Sequence, residues 1–220
     1  MIKGFALILG TVSLAALATP AVAQDASNFD GLHVEGLVGY DMMRPGSTTD
    51  VDNNDDIDQT IEDVAYGVGA GFDVAMGGVV IGAEAQYVQS EAGSEFDTTG
   101  VTGFGVSNVE VGRDLYFGAR VGVPVTENTL IYGKGGYTNT NLNIVSSDNT
   151  TDTGSNVDLD GWRVGAGIEQ VISPGLFAKV EYGYSNYEEG EFEAPSGLES
   201  DRFGVDLDRH QVMVGVGARF

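Results

Sequence analysis

The chain has 220 residues, of which 33 are Asp or Glu and 10 are Lys or Arg, giving a formal net charge of −23, with 33 glycines and no cysteine. That balance excludes nucleic-acid partners, which require clustered cations against phosphate. The absence of cysteine excludes disulfides, thiolate metal sites and Cys nucleophiles, while a hydrophobic content of 42% separates the chain from disordered acidic sequences.

Residues 1–23, MIKGFALILGTVSLAALATPAVA, carry Lys3, an apolar run from Gly4 to about Ala18, Pro20 and then Ala21-Val22-Ala23. This is the layout of a cleaved secretory signal peptide, and the run is shorter than the roughly 20 residues of a spanning helix. Cleavage before Gln24 leaves one domain, 24–220, of 197 residues with a charge of −24. No other stretch approaches helical spanning length, so a membrane span has to be built from strands.

From residue 31 the apolar pattern has period two, which predicts eight strands at about 31–42, 63–75, 79–90, 110–123, 129–140, 161–172, 176–187 and 209–220. Met76-Gly77-Gly78, Pro124 to Asn128 and Ser173-Pro174-Gly175 are short turns after the second, fourth and sixth strands. The other four connections run to roughly twenty residues each and fall at one end of an up-and-down sheet. Short periplasmic turns, long extracellular loops and an even strand number are the plan of an all-β, eight-stranded antiparallel transmembrane barrel in the bacterial outer membrane. A soluble barrel of the lipocalin type is the alternative, with the apolar phase inside.

The composition of the two phases chooses between them. One phase holds Glu35, Glu84, Arg120, Lys134, Arg163, Glu169, Lys179, Glu181 and Arg219, interspersed with glycines. Glycine weakens an exposed strand but makes room for large side chains in a narrow lumen, so this phase faces inward. The other phase carries Tyr40, Tyr66, Tyr87, Tyr137, Trp162 and Tyr184, each at the strand end nearest a long loop. Aromatics at one level on the outside form a girdle at a membrane interface.

The segments GWRVGAGIEQVISPGLFAKVEYGYSNYE (161–188), LIYGKGGYTN (130–139) and HQVMVGVGARF (210–220) resemble the small outer-membrane β-barrel family of Gram-negative bacteria. That family includes the opacity-type surface proteins, the alphaproteobacterial 25/31-kDa surface antigens and the membrane domain of outer-membrane protein A. The resemblance implies lumenal Glu–Arg and Glu–Lys pairs, and it implies that Phe220 behind Val212, Val214, Val216 and Ala218 is read by the barrel-assembly machinery. A periplasmic domain after the last strand, which would tether the barrel to the cell wall, is not expected.

An eight-stranded barrel is filled by its own side chains, so the inward charges are expected to form a structural network rather than a small passive pore, the alternative. A lipid A-modifying enzyme, the third candidate, would need a base beside a nucleophile. Of the two histidines, His33 lies in the lumen phase and His210 is followed by Gln211-Val212. Loop one, from Asp50 to Asp58, imitates the start of a calcium loop but lacks Gly at its sixth place, and Glu62 falls one position late. No motif asks for a cofactor or a metal. The four long loops hold 23 of the 33 acids, an anionic crown suited to cationic surface partners and to lipopolysaccharide only through bridging divalent ions.

Overall fold

The computed structural model describes residues 26–45, 61–90, 93–95, 105–147, 152–193 and 203–220. The leader and the loop-one acids Asp50 to Asp58 lie outside them. A short 3-10 turn, Ala26–Phe29, precedes the strands β1 (Gly31–Pro45), β2 (Ile61–Met76), β3 (Val79–Ser90), β4 (Gly93–Glu95), β5 (Gly105–Thr126), β6 (Thr129–Ser147), β7 (Asp152–Ser173), β8 (Leu176–Glu193) and β9 (Phe203–Arg219).

All pairings are antiparallel between neighbours, β1 also pairs β9, and β3 pairs β5, which closes the sheet. The three-residue β4 continues the edge of β3 along β5, pairing Gly93 with Glu110. The wall is therefore an eight-stranded barrel. Closure leaves no unpaired edge, which a strand buried in hydrocarbon could not tolerate.

The turns are local chemistry. Gly77 and Gly78 both have positive φ, 60° and 90°, as a two-residue hairpin matched to the strand twist requires, and Gly175 (φ 78°) serves the β7–β8 turn. At the opposite end the strands run further than the sequence pattern predicts. β6 continues to Ser147 and β7 begins at Asp152, so the expected twenty-residue connection shrinks to residues 148–151 between two paired strands. β8 likewise extends to Glu193 and β9 starts at Phe203.

The reason is that alternation reports burial on one face, and beyond the bilayer both faces meet water. Backbone pairing persists there without any apolar signal. Asp158, Asp160, Glu188 and Asp208, which fall between the predicted strands, accordingly stand on strands.

Side chains alternate as the pleat demands. Along β3 the buried positions are Val80, Glu84, Gln86, Val88 and Ser90, while Ile81 and Tyr87 are exposed. The outer wall presents Phe117 at 65% exposure, Val68 at 60% and Val216 at 59%. An apolar surface of that extent is unfavourable in water and stable against acyl chains.

Candidate functional site

The interior is a column of side chains stacked along the barrel axis. At the short-turn end, Phe29 of the N-terminal turn is fully buried in the mouth against Val80, Leu130 and Tyr132. It is held by Arg219, whose Nη1 donates to the Phe29 carbonyl at 2.7 Å, and by Asp30, whose Oδ1 accepts from Ala75 N–H at 2.9 Å. The sequence gives no sign of this apolar stopper, since a lone Phe before the first strand carries no periodic signal.

Next comes a tier of two arginines and two carboxylates. Arg120 grips Asp73 with two nitrogens and reaches Glu169 at 3.1 Å, and Arg219 contacts Asp73 and Glu169, each at 2.7 Å. His33 Nδ1 lies 3.1 Å from Asp73, and its ring meets Phe177 edge-on.

Tyr132, whose ring lies 5.0 Å beneath the Arg120 guanidinium, separates this tier from a second built on lysines. Lys134 is 2.8 Å from both Glu84 and Glu181. Lys179 is 2.7 Å from Glu35 and 2.8 Å from Glu181. Glu181 also accepts from Gln86 and from the Tyr132 hydroxyl, each at 2.9 Å.

Tyr116, 4.6 Å from Lys134 Nζ and 5.3 Å from the Arg163 guanidinium, is the next spacer. Above it Arg163 meets Asp114 at 2.5 Å and donates to Ser185 at 2.7 Å. Arg209 meets Asp41 at 2.5 Å and Asp114 at 3.5 Å. A second apolar plug of Val157, Leu159 and Tyr187 closes the loop end.

Glycine makes this stacking sterically feasible. A Cβ on Gly69 would fall 2.5 Å from Glu35 Oε1, one on Gly71 2.6 Å from the His33 ring, and one on Gly167 2.5 Å from the Tyr132 ring. Glu35, His33 and Tyr132 therefore each lie over a glycine of an adjacent strand.

All nine charged residues singled out by the alternation lie in the lumen, in the first two tiers except Arg163. Four members were left out of that set: Asp41, Asp73, Asp114 and Arg209. All four occupy the inward phase and were readable there. The family resemblance implies Glu–Arg and Glu–Lys pairs, whereas Arg163 and Arg209 pair with aspartates and Arg120 and Arg219 divide themselves between Asp73 and Glu169.

Tyr40, Tyr66, Tyr87, Tyr137 and Trp162 are 40–52% exposed on the outer wall. Their levels match through the strand register: Tyr40 pairs Val64, Tyr87 pairs Val68, and Tyr137 pairs Trp162. Tyr184 packs 5.5 Å from Trp162 and donates to Asp208 at 2.6 Å. His210 turns outward beside it, its Nδ1 2.6 Å from the Tyr182 hydroxyl. Phe220 is 76% exposed at the other end, its N–H bonded to the Leu32 carbonyl at 2.8 Å. Among the described residues no group of three or more His, Asp or Glu is arranged to hold a metal.

A closed antiparallel barrel with an apolar wall, an outward aromatic ring and a charged interior defines an integral protein of the bacterial outer membrane. The chain belongs to the family of outer membrane protein beta-barrel domains, which matches residues 9–220. It is 29% identical over 166 residues to the 31 kDa outer-membrane immunogenic protein of Brucella melitensis, covering 69% of this chain and 67% of that one. It is 27% identical over 207 residues to the 22 kDa outer membrane protein of Rhizobium leguminosarum, covering 92% and 83%. Neisserial surface protein A shares the fold, with a TM-score of 0.52 over 87% of this chain and 98% of that one at 10% identity.

Proposed function

We propose that this barrel is a structural and cell-surface interaction protein, not an enzyme, whose wall serves to mount its outer rim. The observation that carries this reading is the lumen, filled by ion-paired tiers and stoppered by Phe29 at one mouth and Tyr187 at the other. A column so packed offers no path for solutes, so recognition falls to the rim, where Asp158, Asp160, Glu188 and Asp208 sit at or beyond the girdle. That anionic rim favours cationic partners and contacts lipopolysaccharide through divalent ions. Phe220, outward at the short-turn end, is the assembly signal, and residues 1–23 are the leader removed on export.

Folded protein reconstituted in planar bilayers tests the reading. No steady conductance is expected from the wild type. Steady steps whose size changes in Asp73→Ala would replace the reading with the passive pore. That second reading draws on the Tyr116 hydroxyl and Gln211 Nε2, which are buried in the lumen and find no hydrogen-bond partner among the described residues.

A further inference from the structure

The N-terminal turn Ala26–Phe29 is held at the short-turn mouth by three bonds to three parts of the wall. Asp30 Oδ1 accepts from Ala75 N–H near the end of β2, Asn28 Nδ2 donates to the Glu127 carbonyl in the β5–β6 turn at 2.9 Å, and Arg219 of β9 donates to the Phe29 carbonyl. These bonds differ in how much of the barrel must exist before they form. Asp30 and Ala75 are 45 positions apart and meet as soon as β1 pairs with β2, where Gly31 opposes Asp73. Phe29 and Arg219 are 190 positions apart and meet only when β9 has closed the wall on β1. Local contacts form before distant ones, because the entropy of closing the intervening chain grows with its length.

The hinge of the turn points the same way. Gly31 has φ 110°, a conformation that favours glycine, and a Cβ there would lie 2.2 Å from the Phe220 carbonyl oxygen. The turn therefore leaves β1 at the seam with β9, beside the bond from Phe220 N–H to the Leu32 carbonyl. The seat of the Phe29 ring needs a curved wall as well, since Val80 comes from β3 and Leu130 and Tyr132 from β6. Arg219 joins plug to column: its Nη1 lies 2.7 Å from both the Phe29 carbonyl and Asp73 Oδ2.

We infer that this turn is a two-stage latch, which Asp30 holds beside the mouth once the first hairpin has formed and which Arg219 locks only after β9 closes the barrel. Sealing of the mouth is thereby conditional on the seam. A wall still open between β1 and β9 lacks the lock, so its lumen stays in contact with the periplasm, and a buried Phe29 marks a finished barrel. The lock is separable from the arginine tier, because Glu169 bonds Arg219 and Arg120 and, among the described residues, takes no bond from the turn.

The chain has no cysteine, so Leu130→Cys, at a fully buried position against Phe29, introduces a single thiol that a water-soluble maleimide reaches when the latch is open. In folded barrel in detergent micelles its labelling should be slow. Adding Arg219→Gln or Gly31→Ala should speed it about tenfold or more, the weight of one hydrogen bond to a charged group. Glu169→Gln loosens the tier but leaves the lock, so it should lower stability to urea and keep the labelling rate within about twofold. Gel mobility with and without boiling verifies that each variant is folded. During refolding, protection of the thiol should follow the appearance of the folded band. Hydrogen exchange with Leu130 retained tests the first stage: the Ala75 amide should stay protected in Arg219→Gln and become exchangeable in Asp30→Ala. Labelling unchanged by Arg219→Gln, equal acceleration by Glu169→Gln, a thiol protected before the folded band appears, or an Ala75 amide that exchanges as fast in Arg219→Gln as in Asp30→Ala would each overturn the latch.

Discussion

The arginine tiers at the two ends of the lumen and the lysine tier between them face one problem, charge in a narrow interior, and answer it differently. Each end has two arginines against two carboxylates, Arg120 and Arg219 with Asp73 and Glu169, and Arg163 and Arg209 with Asp114 and Asp41. The planar guanidinium forks match carboxylates geometrically, so every member is tied to at least one opposite charge and the ends are balanced. The middle has two ammoniums, from Lys134 and Lys179, against three carboxylates, from Glu35, Glu84 and Glu181. Ammoniums are compact point charges that can be shared among acceptors, and here one carboxylate is in excess. The ends are thus the clamps of the column and its centre is the adaptable part.

The sharpest break in this comparison is removal of an end-tier carboxylate. Asp73→Ala leaves Arg120 and Arg219 sharing Glu169, with His33 facing a void. Breaking a buried pair from one side costs about 3–5 kcal/mol, and urea unfolding of the barrel in lipid vesicles should show a loss of that order. A loss below about 1 kcal/mol would mean the tier is looser or wetter than its geometry indicates. The next effect belongs to the stopper. Removing an aromatic ring from a packed core costs about 3–5 kcal/mol, but the turn carrying Phe29 can release without opening the wall, so Phe29→Ala should cost less, about 2 kcal/mol. Faster proteolysis near the N-terminus with the wall still folded checks it, and wild-type resistance would show that the mouth does not depend on Phe29.

The division of the wall into inward and outward faces was legible because the pleat has period two and one face is buried. Glu84 flanked by Ala83 and Ala85, or Arg163 between Trp162 and Val164, gives its orientation without any structure. Pairing was not legible. Arg120 meets Asp73 across β3, because Arg120 opposes Gly82, and Gly82 in turn opposes Asp73. That contact is fixed by strand register and stagger, which a sequence pattern does not carry. The extension of β6 and β7 past the girdle was hidden for the opposite reason: with water on both faces, residues 141–160 read as polar connection although Asn141 to Ser147 pairs with Asp152 to Asp158.

The two smallest effects test the centre of the column. Glu181 accepts from Lys134, Lys179, Gln86 and Tyr132, so Glu181→Gln weakens four bonds even though it balances the charge, and about 1–2 kcal/mol should be lost. Glu84→Gln also brings the tier to two against two, yet Glu84 is engaged chiefly by Lys134, which keeps Glu181. Relief of the surplus negative charge then offsets the lost pair, and stability should stay within about 1 kcal/mol of wild type. The contrast matters more than either number. If Glu84→Gln costs as much as Asp73→Ala, the surplus carboxylate is as tightly bound as an end-tier one, and the distinction between rigid ends and an adaptable centre fails. If Glu84→Gln is neutral while Glu181→Gln is not, the tier is organised around Glu181, with Glu84 as its spare charge.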